Sequence, residues 1–355
     1  ELLEGHLRPV LETGKSEAAP PAPGPQPMLD LLGQVLVLPP GGTEPSSKAF
    51  LAELRRSFGM TPLLKQLGGV AEQKAARAAL SRLLGSVVLP EGQLQPSCVF
   101  AGAGGAAPDA AGLPLKAELC SGEGEWVCAQ AAADAGKANW LCVELRLDRV
   151  FQTLARTRLL GVRNLCLVAG DAEEAMRRLE PRSLAQVFVN FPEPPVRRGG
   201  DAPGGADGAA AAVGRQEAPH LLTAATIRLI RRALAPRGTL LVLSDNLPYL
   251  RRLAAEVDGI DGWASVSAPG GAARATCTAR TAIWRGRPGP ECGVADAAAS
   301  SYFDRLWQNG RITQRHFLCV ERCKRTGQDA SADPVESAVE PAPVKRRKTR
   351  AGSEP

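Results

Sequence analysis

The sequence predicts an α/β protein built on a mainly parallel, doubly wound sheet with helices on both faces. Two observations support this fold class. From Leu115 onward, short apolar runs typical of strands alternate with amphipathic helical segments, which is the pattern of parallel strands joined by helices. The chain has 355 residues, of which 44% are hydrophobic, so it can bury the core of one large domain with appendages.

Seven strands are predicted in this region. They cover residues 115–119, 140–143, 165–168, 186–189 and 239–243, with two weaker strands near 279–284 and 316–320. A helix after the second strand is predicted to bury Val150, Leu154 and Leu160. A later helix, capped by Thr223, is predicted to end near Pro236.

Composition divides the rest of the chain. The predicted divisions are a disordered linker over 1–46, a helical module over 47–95, a main domain over 110–326 and a disordered basic tail over 327–355. Two low-complexity insertions in the main domain, 199–214 and 268–300, are predicted to be mobile loops. Because the sequence begins at Glu1 rather than Met, we expect a fragment or a processed product, so the sequence does not show whether an N-terminal targeting signal exists.

Several classes of protein are disfavoured by composition. No run approaches the roughly 18 apolar residues that a membrane-spanning helix needs, so we expect no membrane span. Nine cysteines without a CxxC pair and only three histidines argue against a disulfide framework and against a metal site. The net charge of +6 is mild for a nucleic-acid binder, so local clusters must carry that function. The cluster KRRK, Lys345–Lys348, is either a nuclear import signal or a solvated charged tail, and it places the protein in the nucleus or the cytoplasm.

The first candidate site follows the first strand, in the segment ELCSGEGEW. Glu118 lies near the end of the strand, and Gly122 with Gly124 allows the backbone to pass close under a ligand before a helix begins. Val127 stands where the dinucleotide pattern GxGxxG has its third glycine, so NAD binding is disfavoured. The alternative is an ordinary tight turn between strand and helix.

Two further acids fall at the same edge of the predicted sheet. Glu144 ends the second strand and could accept hydrogen bonds from both hydroxyls of a ribose. Asp171 follows the third strand and could accept from an adenine amino group, or it could be the N-cap of the helix that begins at Ala172. A solvated loop acid is the alternative for Glu144. Together the acids outline a nucleoside pocket.

The fourth strand ends in a proline-rich corner, VNFPEPP. Prolines fix the backbone, so Glu193 is expected to be held in one direction above the same pocket. A fixed carboxylate there could accept from the N1 and N2 edge of guanine, or stabilise a sulfonium or the positive charge that develops on a methylated base. The alternative is a structural turn with an exposed acid.

These segments, in this order, resemble the tRNA (guanine-N7) methyltransferases over roughly Leu115 to Arg322. The matching segments are ELCSGEGEW, NWLCVELR, NLCLVAGDA, VNFPEPP, HLLTAATIRLIRRALAPRGTLLVLSDNLPY and SYFD. The resemblance implies a Rossmann-like fold of the S-adenosylmethionine (SAM) dependent methyltransferases, with a seven-stranded sheet preceded here by the small helical module. It also implies SAM as cofactor and methylation of N7 of a guanine in tRNA.

Carried over position by position, the resemblance assigns roles to the candidate residues. The SAM-binding positions are Glu118, Gly122, Gly124, Glu144, Asp171 and Ala172. Glu193 takes the place of the acid beside the reacting centre. The positions that contact the substrate are Arg197, Asp245, Ser301 and Asp304.

The sequence also departs from the pattern of the family. Cys120 replaces the first motif glycine, Glu193 stands for an aspartate, and Pro195 stands for a tryptophan. The basic run after this motif is replaced by a Gly- and Ala-rich insertion. Two alternatives therefore stay open: a methyltransferase-fold adaptor without catalysis that binds RNA or protein, and a methyltransferase for another RNA or for a protein. A non-catalytic protein subunit is a further possible partner.

Overall fold

The computed structural model describes residues 35–37, 93, 94, 96, 100, 112–195, 220–266, 270, 272–305 and 314–323. These residues belong to one compact unit, Glu1–Cys323. Apart from isolated positions, the predicted N-terminal linker and helical module lie outside the described residues. The insertion at 199–214 and the basic tail lie outside them entirely.

The described residues contain ten strands, which form one sheet. They are β1 (Val35–Val37), β2 (Leu115–Leu119), β3 (Asn139–Glu144), β4 (Leu165–Ala169), β5 (Leu184–Asn190), β6 (Leu234–Ser244), β7 (Trp263–Ser265), β8 (Arg274–Cys277), β9 (Ala282–Arg285) and β10 (His316–Arg322). The order across the sheet is β1-β4-β3-β2-β5-β6-β10-β9-β8, and β7 pairs with β10.

The first six strands in that order are parallel to one another, whereas β10 runs antiparallel to both β6 and β9. From β2 the chain moves to β3 and β4 on one side and then returns to β5 on the other side. This reversal makes the carboxyl end of β2 a topological switch point, which is where open α/β sheets bind their ligands.

Five helices in the described ranges cover both faces of the sheet. They are α1 (Glu125–Ala133), α2 (Leu147–Leu159), α3 (Ala172–Arg178), α4 (Ala224–Ala233) and α5 (Leu247–Asp258). Met176, Ile230 and Leu253, from α3, α4 and α5, share one buried core cluster. Val127 and Phe151, from α1 and α2, belong to a second core cluster on the other face. The predicted doubly wound fold is therefore confirmed. No helix in the described part of the chain has the length and apolar character to cross a bilayer.

All seven predicted strands are present, but three further strands, β1, β7 and β8, extend the sheet to ten. The expectation of a mobile loop at 268–300 is wrong for residues 272–300. These residues form β8, β9 and a 3₁₀ turn at Pro290–Cys292. Ile283 and Trp284 of β9 are buried and pair with β10, so a few apolar residues order a segment whose overall composition resembles a linker.

Two predicted helix ends also need correction. Helix α4 ends at Ala233 rather than near Pro236, because Leu234 adopts an extended backbone and pairs with Leu184 of β5. The predicted cap is confirmed, since the Thr223 side chain accepts a hydrogen bond from the backbone of Thr226. Leu160 is 57% exposed rather than buried, because it follows the last residue of α2.

An aromatic cluster fixes the start of α1, directly after the glycine turn. Trp126, the second residue of α1, has ring-centroid distances of 5.8 Å to Trp140 and 5.0 Å to Phe188. Trp140 lies on β3 and Phe188 on β5, and both are fully buried. The cluster thus anchors the first helix to the strands on either side of β2, and offset or edge-on aromatic pairs of this kind are favourable beyond their buried area.

Candidate functional site

Three of the predicted acids lie at the carboxyl edge of the sheet. Glu118 is the second-last residue of β2, Glu144 is the last residue of β3, and Asp171 follows β4 by two positions. Because β2, β3 and β4 are adjacent and parallel, their carboxyl ends share one edge. The structure therefore places all three acids at the switch point.

The glycine turn is attached to Glu144. The backbone N–H of Gly122 donates to Oε2 of Glu144 at 2.9 Å, and that of Arg146 donates to Oε1 at 2.9 Å. The Glu144 side chain is 5% exposed, so these hydrogen bonds act in a region with little water. Glu144 is thus an anchor for two turns, a role that the sequence pattern did not reveal. Its oxygens retain further lone pairs for a ligand.

Both glycines of the turn are required by its geometry. Gly122 and Gly124 have φ values of 60° and 71°, in the left-handed region that favours glycine. A Cβ at Gly124 would lie 2.3 Å from Cγ2 of Thr153 in α2. At Gly122, the described residues beyond its two chain neighbours place no atom within 4 Å of the Cβ position. Gly124 therefore permits close packing of α2, whereas Gly122 leaves space over the turn that a ligand could fill.

Cys120 has a backbone conformation that favours glycine. Its φ is 56°, so a residue with a Cβ stands in the left-handed region. The backbone N–H of Cys120 donates to the carbonyl oxygen of Val143 at 2.8 Å, which fixes the start of the turn against β3. The turn thus keeps its shape at the cost of local backbone strain.

Glu118 presents a buried acceptor to the site. It is 2% exposed, and its Oε1 accepts a hydrogen bond from Nδ2 of Asn190 at 2.7 Å. Its Oε2 is buried and has no hydrogen-bond partner among the described residues. Burial raises the pKa of this carboxyl to about 8. A donor or a cation from a ligand would satisfy the free oxygen, so the site fits a ligand that carries such a group. Asn190 was not among the predicted site residues, although its position at the end of β5 was a usable signal.

Asp171 takes the structural role that was one of its two predicted alternatives. Its side chain caps α3 by accepting from the backbone N–H of Glu174 at 2.9 Å. The residue is exposed, and Ala172, the first residue of α3, is 5% exposed. The cap uses only Oδ1 of Asp171, which leaves Oδ2 for the predicted contact with adenine. That contact stays a prediction.

The proline corner begins with a strained residue. Phe191 has a φ of 51°, and its backbone N–H donates to the carbonyl oxygen of Leu243 at 2.7 Å. The chain then turns through a buried Pro192 to Glu193, which is exposed at the carboxyl end of β5. Asp245 follows β6 and is half-buried at the same edge. Arg197, the other predicted residue of this loop, lies outside the described residues.

The predicted substrate residues Ser301 and Asp304 lie on one turn. The hydroxyl of Ser301 accepts from the backbone N–H of Asp304 at 3.2 Å, as a helix cap does. The Asp304 carboxylate is 2% exposed and forms ion pairs with Arg315 at 2.6 Å and Arg287 at 3.5 Å. It therefore stabilises the local fold, and a direct substrate contact by Asp304 stays a prediction. Within the described ranges, no group of three or more His, Cys, Asp or Glu side chains could hold a metal ion.

The strain at Cys120 yields a stability prediction. Relative to Cys120→Ala, which keeps the Cβ, Cys120→Gly should be more stable by about 1 kcal/mol, since relief of left-handed strain outweighs the added freedom of the unfolded chain. Both variants lack the thiol, so the comparison isolates the backbone. Urea denaturation of the two variants measures the difference, and a glycine variant less stable than the alanine variant would contradict this account.

The buried Glu118 yields a pH prediction. A folded-state pKa raised from 4.5 to about 8 means that the native protein retains a proton that the unfolded chain releases, so stability is lost as the pH rises across this range. Glu118→Gln removes this loss. The free energy of unfolding of the variant minus that of the parent should increase between pH 4.5 and pH 8 and then level off. Glu180→Gln, at an exposed glutamate, is the matched control for the substitution. A difference that is constant with pH would disprove the assignment.

Comparisons with known proteins agree with the position of the site. Residues 113–198 match the Methyltransf_4 family, described as "Putative methyltransferase", and this range contains the glycine turn and the proline corner. The tRNA (guanine-N(7)-)-methyltransferase of Chlamydia caviae is 40% identical over 82 residues, which cover 23% of this chain and 36% of that protein. The protein of the same name from Chlamydia trachomatis is 27% identical over 216 residues, which cover 60% of this chain and 78% of that protein.

A third relative of that name, from Bifidobacterium longum subsp. infantis, is 27% identical over 150 residues, which cover 42% of this chain and 46% of that protein. The chain therefore spans about a third of the length of the Chlamydia caviae protein and less than half of that of the Bifidobacterium protein. Over these ranges the chain is therefore similar, at modest identity, to proteins named tRNA (guanine-N(7)-)-methyltransferase, and the matched residues 113–198 include the glycine turn and the proline corner.

Proposed function

We propose that this protein is a SAM-dependent methyltransferase that methylates N7 of a guanine in tRNA. The observation that carries the proposal is the placement of Glu118, Glu144 and Asp171 at the ends of three adjacent parallel strands, around a glycine turn at the switch point. The similar proteins from Chlamydia are named tRNA (guanine-N(7)-)-methyltransferase, which supports the proposed reaction and substrate.

The cofactor would be held by the residues around the glycine turn. Glu118 offers to a donor or to the positive charge of SAM a buried oxygen that has no hydrogen-bond partner in the described part of the chain. Glu144 has lone pairs left for ribose hydroxyls, and Asp171 has one oxygen left after capping α3. When bound, SAM supplies an electrophilic methyl group on a sulfonium.

The protein would act mainly by alignment. Guanine N7 carries a free lone pair, so no base is needed to expose the nucleophile. Holding two reactants in line can lower a barrier by about 7 to 11 kcal/mol. Glu193, exposed at the edge of the site, would orient the guanine or stabilise the positive charge that develops on it.

Binding of RNA is part of the proposal. Arg228 of α4 and Arg251 of α5 are exposed and would contact phosphate groups, which fix the register of a nucleic acid without reading its sequence. Arg197 belongs to the same proposal. A non-catalytic protein subunit that extends the RNA surface is a further proposed partner, because the sequence has a Gly- and Ala-rich insertion where the family has a basic run.

A second candidate function rests on the departures at the site. Strained Cys120 and half-buried Pro195 stand in place of a motif glycine and a tryptophan. A protein that kept the fold as an RNA or protein adaptor would tolerate such changes, and so would a methyltransferase for another acceptor.

Titration calorimetry with SAM and a methyl-transfer assay test these candidates together. We expect the parent chain to bind SAM and to form 7-methylguanosine in unmodified tRNA, with binding weakened at least tenfold in Glu144→Ala through loss of a charged hydrogen-bond acceptor. In Glu193→Ala, turnover should fall while SAM affinity stays unchanged.

The acceptor is tested by offering tRNA, other RNA and protein fractions side by side. If methyl groups are transferred to another acceptor but not to tRNA, the proposed reaction is correct and the proposed substrate is wrong. If the well-folded parent chain does not bind SAM, alone or with a partner subunit, the methyltransferase proposal is wrong and the adaptor function is the remaining explanation. Unchanged turnover in Glu193→Ala would remove its catalytic role.

Location in the nucleus is proposed from the basic segment near the end of the sequence. Deletion of Lys345–Arg350 should shift a fluorescently tagged chain from the nucleus to the cytoplasm, because a cluster of basic residues is what an import receptor recognises. Deletion of six residues from the neighbouring 329–340 region is the control. Equal distributions of parent and deletion variants would contradict the proposal.

A further inference from the structure

Two aromatic side chains are exposed at the edge of the candidate site. Tyr302 is 51% exposed and Phe303 is 44% exposed, on the turn that Ser301 caps. Exposed aromatic surface is unfavourable in water, so an adjacent pair of such residues points to a binding surface.

The pair is continuous with the proline corner. The ring of Phe303 has a centroid distance of 6.0 Å to that of Phe191, with 34° between their planes. Tyr302 stands edge-on to Phe303 at 5.5 Å. Phe191 follows β5 directly and precedes Glu193 by two residues. The aromatic surface therefore lies beside the acid that is assigned to the reacting centre.

Ion pairs hold this turn in place. Asp304 is buried between Arg287 and Arg315, and Arg315 also donates to the Asp304 carbonyl oxygen at 3.0 Å. Arg305 pairs with Glu125, the first residue of α1, which follows the glycine turn. The turn is thus tied to the cofactor side of the site through α1 and to the segments that follow β9 and precede β10. A rigid support lets aromatic side chains bind a ligand with little loss of conformational entropy.

We propose that Phe303, with Tyr302 beside it, forms a stacking platform for the guanine that receives the methyl group. This inference rests on the proposed function. Aromatic side chains bind unpaired bases in RNA by stacking on their faces. Stacking leaves the edges of the base uncovered, so N7 can face the methyl donor and the N1 and N2 edge can face Glu193. The surroundings favour a base over a protein ligand, because the platform is flanked by Glu193 and by the proposed nucleoside pocket.

The test uses substitutions at Phe303 in the full chain. We expect Phe303→Ala and Phe303→Leu each to lower kcat/KM for tRNA by about tenfold, whereas Phe303→Trp should stay within about twofold of the parent. The affinity for SAM should be the same in all variants. Leucine at 303 would be enough if the side chain were needed only for apolar packing. A low kcat/KM in Phe303→Leu together with a near-parent kcat/KM in Phe303→Trp therefore identifies stacking. Leu159→Ala, at a 78% exposed apolar residue in α2, is the control.

Binding of unmodified tRNA without SAM, at one fixed salt concentration, separates this inference from the proposed function. If the parent transfers methyl groups and Phe303→Leu reacts like the parent, the platform is wrong and the function stands. If the parent transfers none but Phe303→Ala weakens RNA binding and Phe303→Trp restores it, the function is wrong and the platform stands. If the parent neither binds RNA nor transfers methyl groups, both are wrong, and a protein ligand for the aromatic surface becomes the better explanation.

Discussion

The Glu144 carboxylate is the contact on which the candidate site depends. Its two oxygens accept from the backbone of Gly122 in one turn and of Arg146 in the next. Without the Glu144 carboxylate the turn would lose this hydrogen bond, and among the described residues it would keep the backbone hydrogen bonds to β3 and the packing of α1. A buried carboxylate that accepts two backbone N–H groups therefore acts as a structural support and as part of the binding surface at once.

The site combines a fixed part and an unsatisfied part. The aromatic cluster of Trp126, Trp140 and Phe188 and the Glu144 bridge fix the backbone. Glu118, in contrast, keeps a buried oxygen without a partner in the described part of the chain, and its raised pKa expresses the same lack of solvation. Such an arrangement is costly for folding alone, and it is typical of sites where a ligand supplies the missing interaction.

Much of this arrangement followed from local sequence. The apolar runs that alternate with helical segments were sufficient to predict the central strands. The acids at or just after the strand ends were sufficient to predict the edge of the site, because both features are local properties of the chain. The roles of Glu144 and Asn190 were not predictable in the same way, since each depends on a partner more than 20 residues away. β8 was obscured by a composition rich in Gly, Ala and Pro. The ion pairs around Asp304 join residues 11 to 17 positions apart and depend on the tertiary fold.

The close approach of Gly124 to Thr153 has an evolutionary consequence. Any side chain at position 124 would overlap the Thr153 side chain, and the backbone angle at 124 adds a second penalty. A substitution at 124 alone would therefore separate α1 from α2 and shift the turn that precedes them. A smaller residue at position 153 would relieve the overlap but not the backbone strain at position 124. Two independent constraints therefore act against replacing Gly124. Cys120, four residues earlier, has a left-handed backbone but already carries a Cβ, so only the backbone constraint applies at that position.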